Sequence, residues 1–194
     1  MIRPVVLITP GAGTDANHAS LVAIEDEILG RADGAVIRRM DFAYRLAGKR
    51  APDKAPVLIE AVRAGVEALA ADAGVIPNDV IIGGRSMGGR MCSIAAAQGL
   101  NVRALFCISY PLHPPGKPDR LRVEHFPTLT VPTIFVSGTR DSFGTRAEFE
   151  RETPAIGGPF EHLWIEGGDH SLTRHSALAA GMVADWITQL RPRD

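Results

Sequence analysis

The chain has few of the features that mark secreted, membrane-spanning or disulfide-rich proteins. Its 194 residues contain only two cysteines, and no apolar run approaches the roughly 20 residues that span a bilayer. The N-terminal apolar run stops at Thr9 and Pro10, without the longer hydrophobic region and cleavage site of a secretory signal. We therefore expect a cytoplasmic protein without a membrane segment, in which the cysteines are small buried hydrophobes.

The charges show no excess of either sign. There are 22 acidic and 21 basic residues, so the formal net charge is −1, and this balance gives no preference for nucleic acid or for an anionic membrane. The length suffices for one well-buried domain and is short for two. We predict a single domain over residues 1–194 with small molecules or protein surfaces as partners, and the sequence indicates no particular oligomeric state.

Short apolar segments alternate with amphipathic segments along the chain. The strand candidates are apolar at nearly every position, as parallel strands covered on both faces are. They are residues 5–9, 35–38, 80–82, 104–109, 133–137 and 162–165. Helical spacing marks residues 20–29, 57–73, 92–99 and 176–190. The alternation predicts an α/β fold, namely a doubly wound and mostly parallel sheet.

The segment VIIGGRSMGG joins one predicted strand to the helix that follows it. Within it, Gly84, Ser86 and Gly88 form the Gly-x-Ser-x-Gly pattern of a nucleophile elbow. A turn this sharp strains the serine backbone, and a side chain at either flanking position would collide with a neighbouring strand or helix. The pattern predicts that Ser86 stands above one edge of the sheet, at the positive end of a helix.

A serine hydroxyl becomes a nucleophile only when a base removes its proton, and an acid must orient that base. Asp141 follows the predicted strand TIFVSG, and His170 follows the predicted strand HLWIEG. Loops at the carboxyl ends of parallel strands open on one edge of the sheet, so we expect Ser86, Asp141 and His170 to meet there. His170 would act as general base and Asp141 would orient it. Asp169 is the rival acid, although a direct neighbour rarely turns back onto the ring.

The chain also offers donors for an oxyanion. The backbone N–H of Met87, next after the nucleophile, is expected to supply one hydrogen bond. The loop after the first strand, Pro10 to Gly13, is expected to supply the other, from Ala12 or, as second choice, from Gly13.

The first loop, the GRSMGGR elbow, the stretch SYPLHPPGKP and the loops GTRDSFG and GGDHSL together resemble one known family. They are similar to the small lidless α/β-hydrolases related to the testis-expressed hydrolase-like proteins, and more distantly to dienelactone hydrolases. The resemblance implies a minimal six-stranded α/β-hydrolase fold, strand order 2-1-3-4-5-6, with Ser86, Asp141 and His170 at the catalytic positions. One departure is Pro10-Gly11, where relatives often have His-Gly. Some relatives act as subunits of chromatin-associated complexes.

Other roles for these residues stay open. Asp141 can instead cap a helical stretch at residues 145–152. His113 is expected to make a structural hydrogen bond, and Arg85 and Arg90 are expected to be solvated or ion-paired rather than to meet an anionic substrate. Ser86 can also be a loop serine that binds a phosphate or nothing, and His170 a surface histidine.

Two other classes of function compete with catalysis. Residues 11–16 satisfy the G-x-G-x-x-A dinucleotide fingerprint, and Asp41 lies where an acid would hold a ribose. Alternatively, the fold is a non-catalytic protein-interaction module.

No metal site is predicted, because His18, His125, His162 and His175 lack metal-ligand spacing.

The pattern as a whole favours a serine hydrolase that cleaves a small-molecule ester, thioester or lactone through an acyl-Ser86 intermediate, without a cofactor. The only room for a lid is the proline-rich segment 110–130, which indicates a shallow, open site. The acyl group and the leaving group are not indicated.

Overall fold

The computed structural model describes residues 3–191, so the ends of the predicted domain, residues 1 and 194, lie outside the described residues. Strands and helices alternate along the chain. They are β1 (Val5–Thr9), α1 (Ala19–Arg31), β2 (Val36–Arg39), α2 (Ala43–Leu46), α3 (Ala55–Ala73), β3 (Val80–Arg85), α4 (Met87–Ala97), β4 (Ala104–Ile108), β5 (Thr133–Gly138), α5 (Arg146–Glu152), β6 (Phe160–Ile165) and α6 (Ser176–Gln189).

The six strands form one sheet in the order β2-β1-β3-β4-β5-β6, and every neighbouring pair is parallel. This confirms the predicted α/β class and strand order. β3 is longer than predicted because Gly83, Gly84 and Arg85 continue its pairing with β4. β6 begins two residues early, at Phe160, since it pairs with β5 from Thr133 onward.

Apolar side chains cover both faces of the sheet. Successive residues of β1 alternate between two cores: Val5 and Leu7 pack with α3 and α4, and Val6 and Ile8 pack with α1 and α6. Each of these four side chains is at most 1% exposed, and full burial of one such side chain contributes about 1.5–3 kcal/mol. The two cores explain why the strands are apolar at nearly every position.

The two cysteines belong to this packing. Cys92 and Cys107 are free and fully buried, as predicted, and burial raises the pKa of the Cys92 thiol to about 12. Among residues 3–191, no helix has the length and apolar character needed to cross a membrane.

The long segment between β4 and β5 is anchored to the core by Tyr110. The Tyr110 ring is fully buried and packs edge-on against Phe135, and its hydroxyl donates a hydrogen bond to the backbone oxygen of Arg122 at 2.6 Å. The backbone N–H of Arg122 in turn donates to Leu112. This segment therefore has a defined path beside the carboxyl ends of β3 and β4.

Candidate active site

The turn between β3 and α4 has the geometry that the elbow pattern predicts. Ser86 has φ 50° and ψ −116°, a conformation that side-chain-bearing residues rarely adopt. A Cβ atom at Gly84 would overlap the backbone of Thr9, and one at Gly88 would lie 2.5 Å from the oxygen of Pro10. The predicted need for glycine at both positions is confirmed, because β1 and the loop after it pass directly against the turn.

The structure brings Ser86, His170 and Asp141 together from three loops. Ser86 Oγ lies 2.9 Å from His170 Nε2, and His170 Nδ1 lies 2.9 and 2.8 Å from the two carboxylate oxygens of Asp141. Because an ionised carboxylate only accepts, Nδ1 donates to Asp141 and Nε2 is left with a lone pair directed at the serine hydroxyl. Asp141 is 3% exposed, so its contact with the ring is shielded from water.

Neither alternative for the acid matches the contacts in the structure. Asp141 does not cap α5, which begins after Thr145 with its own capping box, formed with Glu148. Asp169 turns away from the imidazole: its Oδ1 accepts hydrogen bonds from Ser171 and Leu172, and the bond from the Ser171 side chain lowers the pKa of Asp169.

Two residues that sequence reasoning did not place at the site hold His170 from its sides. The Phe143 ring stacks on the imidazole with centroids 3.8 Å apart, and the Phe143 N–H donates to Asp141 Oδ1 at 2.8 Å. Arg85 donates from Nη2 to the backbone oxygen of His170 at 2.9 Å. Arg85 is only 9% exposed, so it is not solvated as one expectation had it; it forms no close ion pair with a described residue, although Asp141 and Asp169 act on its charge through space. Burial lowers the pKa of this guanidinium.

The residues expected to supply the oxyanion donors lie beside the serine. Ala12, Gly13 and Met87 line the same cavity as Ser86, and within residues 3–191 the N–H groups of Ala12 and Met87 donate to no other residue. Tyr44 fixes the backbone of this loop: its side chain is buried, and its hydroxyl donates a hydrogen bond to the backbone oxygen of Ala12 at 2.8 Å. Tyr44 lies on α2, and no signal in the sequence connected it with this loop.

A cavity of about 460 Å³ opens over these groups. Pro111 and Phe143 form apolar parts of its wall, and Arg85, Arg90 and Arg122 also line it. No acidic side chain of the described residues lines it. Its volume is in the range of small-ligand sites.

Comparison with known proteins identifies the fold and the family. The family model of the alpha/beta hydrolase domain matches residues 2–186. The chain belongs to the alpha/beta hydrolase family.

Several solved structures share the hydrolase architecture. A dienelactone hydrolase from Anabaena variabilis has a TM-score of 0.78 and 18% identity, over 97% of this chain and 88% of that one. A serine hydrolase without a lid from Xanthomonas campestris has a TM-score of 0.77 and 15% identity, over 100% and 85%. Est1E from Butyrivibrio proteoclasticus, solved with ferulic acid bound, has a TM-score of 0.77 and 14% identity, over 96% and 89%. At such identities the likeness shows the fold.

The protein also contains a serine–histidine contact between α4 and the segment after β4. Ser93 Oγ lies 2.8 Å from His125 Nε2, but it also donates its only proton to the backbone oxygen of Arg90. His125 must then donate to Ser93, which leaves Nε2 without the lone pair that a general base needs. Burial lowers the pKa of His125 to about 4, and Ser93 is fully buried in α4. We interpret this contact as a structural hydrogen bond.

His113 has the structural role that was expected. Its Nδ1 donates to the backbone oxygen of Pro114 at 2.8 Å, and its Nε2 lies 3.3 Å from the carboxylate of Glu148. Its backbone N–H donates to Phe143, so the histidine ties the segment after β4 to the loop that carries the stacked ring.

The first loop of the protein does not have the arrangement of a dinucleotide site. Asp41 accepts a hydrogen bond from the N–H of Ala16 at 2.7 Å, so its carboxylate closes the loop instead of facing a ribose. α1 begins only at Ala19, beyond the glycines.

Within residues 3–191, no group of three or more His, Cys, Asp or Glu is arranged to hold a metal ion.

Proposed function

We propose that the protein is a serine hydrolase that cleaves a carboxylic ester, thioester or lactone through an acyl-Ser86 intermediate. The observation that carries the proposal is the chain of short contacts from Ser86 Oγ through His170 to Asp141, at the mouth of a cavity. A hydroxyl, a neutral imidazole and a buried carboxylate in this order are the groups that acyl transfer to serine requires.

In the first half of the proposed reaction, Ser86 Oγ attacks the carbonyl carbon while its proton passes to His170 Nε2. The carbonyl oxygen becomes an anion and accepts hydrogen bonds from the N–H groups of Met87 and Ala12. When the bond between the carbon and the leaving group breaks, the leaving group takes the proton from His170. Asp141 stabilises the imidazolium that exists between these two transfers.

In the second half, water takes the place of the leaving group. His170 Nε2 removes a proton from water as its oxygen attacks the acyl carbon, and the same proton returns to Ser86 Oγ when the acyl bond breaks. The products are a carboxylic acid and, from the first half, an alcohol or thiol; a lactone gives one hydroxy acid. These steps use only groups of the chain and water.

The open site supports small or exposed substrates. The cavity lies against the Pro10 to Gly13 loop and the segment after β4, and this position favours a short acyl or alcohol part over a long chain. The motif resemblance to the testis-expressed hydrolase-like proteins supports a place among the lidless members of the family. The pairing of all six strands in one sheet supports the proposal of a single domain.

Labelling with a fluorophosphonate probe tests the proposal. We expect the protein to be labelled at Ser86 and to hydrolyse p-nitrophenyl acetate, and we expect Ser86→Ala to lose both activities. Ser93→Ala is the matched control, because it removes another serine that contacts a histidine. A folded protein that reacts with neither reagent favours the non-catalytic interaction module.

A further inference from the structure

Basic side chains line the cavity beside Ser86 although the chain as a whole is nearly neutral. Arg85, Arg90 and Arg122 line it, no acidic side chain of the described residues does, and the formal net charge of the protein is −1. The arginines are therefore a local feature of this cavity, and they create a positive potential where the substrate must enter.

Two of these arginines make no direct polar contact with another described side chain. Across residues 3–191, the guanidinium groups of Arg90 and Arg122 form no ion pair or hydrogen bond. Arg90 Nε is buried and has no hydrogen-bond acceptor among the described residues. Glu124 makes no direct contact with Arg122 and interacts with its charge only through space. The proximity of Arg90 adds to burial in lowering the pKa of Arg122. Like charges gathered in this way lower stability unless an anion lies between them.

Both side chains start from fixed backbone positions. Arg90 lies one helical turn after the nucleophile, and its N–H donates to the oxygen of Ser86 at 3.1 Å. Arg122 is held by the buried hydroxyl of Tyr110 and by the backbone of Leu112. The two arginines therefore line the cavity from α4 and from the segment after β4, each at a backbone position fixed by hydrogen bonds.

We propose that Arg90 and Arg122 form an anion subsite, and that the substrate is an ester or lactone carrying a carboxylate or phosphate close to the bond that is cleaved. This inference rests on the serine-hydrolase function proposed above and adds its substrate class. Planar guanidinium groups bind such anions through paired charge-assisted hydrogen bonds, which favour an anionic substrate over a neutral one of the same shape. The anion also supplies the negative charge that the cavity lacks.

Matched ester pairs test the subsite. For an anion on the acyl part the pair is p-nitrophenyl hydrogen adipate and p-nitrophenyl hexanoate, and for an anion on the alcohol part it is para-acetoxybenzoate and para-acetoxybenzamide. In at least one pair we expect kcat/KM to favour the anion, and we expect Arg90→Gln and Arg122→Gln each to lower the anion-to-neutral ratio about 10- to 100-fold. The KM of the anion should rise with salt.

Arg120→Gln is the matched control, because Arg120 lies in the same segment but is exposed and does not line the cavity. We expect it to leave the ratio unchanged. Equal ratios in the parent and in the two cavity variants, or an equal loss in Arg120→Gln, overturn the subsite while leaving hydrolysis at Ser86 intact. Unfolding temperatures distinguish the subsite from a structural role of the arginines. A structural role predicts that the cavity variants unfold at lower temperatures than the parent, whereas the subsite predicts equal or higher unfolding temperatures.

Calorimetry keeps the subsite testable if no ester is turned over. In Ser86→Ala protein we compare two ligand pairs: monomethyl adipate with dimethyl adipate, and para-acetoxybenzoate with para-acetoxybenzamide. In at least one pair we expect the anionic member to bind at least about tenfold more tightly than the neutral one. We expect Arg90→Gln to abolish that difference. Equal affinities in both pairs contradict the subsite, whereas a retained difference without turnover contradicts only the hydrolase function.

Discussion

The phenyl ring of Phe143 lies flat on the imidazole of His170, with ring centroids 3.8 Å apart and planes inclined by 21°. The same residue donates its backbone N–H to the carboxylate of Asp141, which in turn contacts Nδ1 of the imidazole. One residue therefore restricts both the tilt of the ring and the position of its hydrogen-bond acceptor.

Removing the Phe143 ring is expected to weaken this restriction. We expect Phe143→Ala to lower kcat about 3- to 10-fold, because an aromatic pair contributes about 0.5–1.5 kcal/mol beyond its buried area. Phe143→Tyr keeps the ring and is expected to recover most of the rate. Steady-state kinetics on p-nitrophenyl acetate measures both variants, and a kcat of Phe143→Ala equal to that of the parent contradicts the positioning role.

Substitutions of Ser86 separate chemistry from backbone strain. Ser86→Ala and Ser86→Gly should both abolish turnover, because neither carries a hydroxyl. At φ 50° a glycine is less strained than an alanine, so we expect Ser86→Gly to be about 1 kcal/mol more stable than Ser86→Ala. Urea unfolding measures the difference. Equal stability would show that the turn does not store strain at this residue.

Exchange of Asp141 tests the assignment of the acid. Asp141→Asn should lower kcat about 10⁴-fold, because an amide in this position favours the imidazole tautomer whose Nε2 carries the proton. Asp169→Asn is the control and should retain activity within about tenfold, since Asp169 binds its own loop and not the ring. A larger loss in the control than in Asp141→Asn assigns the acid to Asp169.

The space around two glycines predicts opposite effects of glycine-to-alanine changes, because β1 lies directly against one of them. Gly84→Ala should lower the free energy of unfolding by about 2–3 kcal/mol, because its Cβ overlaps the Thr9 backbone. Gly30→Ala, at an exposed position of α1 with open space around its Cβ, should raise it by about 0.5–1 kcal/mol. Denaturant unfolding compares both with the parent, and a stable Gly84→Ala protein would show that the two strands can separate.

His162 predicts how stability depends on pH. Its ring is stacked on Trp164 with centroids 4.0 Å apart, and burial, aided by Arg146, lowers the pKa of His162 to about 3. Between the ordinary pKa of about 6.5 and this value only the unfolded chain binds the proton, so stability falls as the pH falls through that window.

Replacement of His162 by phenylalanine removes this contribution. Relative to His162→Phe, the parent should lose on the order of 1 kcal/mol more for each pH unit between about pH 6 and pH 4. Urea unfolding at about pH 7.5, 6 and 5 measures both proteins. Parallel pH dependence of the two would show that the native state takes up the proton as readily as the unfolded chain.

The local pattern of the sequence determined the alternation of strands and helices and the turn around Ser86. Both depend on constraints that act between close neighbours: the apolar runs of buried parallel strands, and the need for Gly84 and Gly88 next to a strained serine. The chain order of Ser86, Asp141 and His170 also indicated correctly which loops meet at one edge, since parallel strands place their carboxyl ends together.

Only the tertiary structure decided which groups touch. Ser86 and His170 are 84 positions apart, and the choice of Asp141 over Asp169 depends on how two loops fold against each other. The stacking of Phe143, the support of Ala12 by Tyr44 and the meeting of Arg90 with Arg122 left no periodic signal in the sequence. Periodicity reports which face of an element is buried, whereas a contact between loops depends on the path of the whole chain.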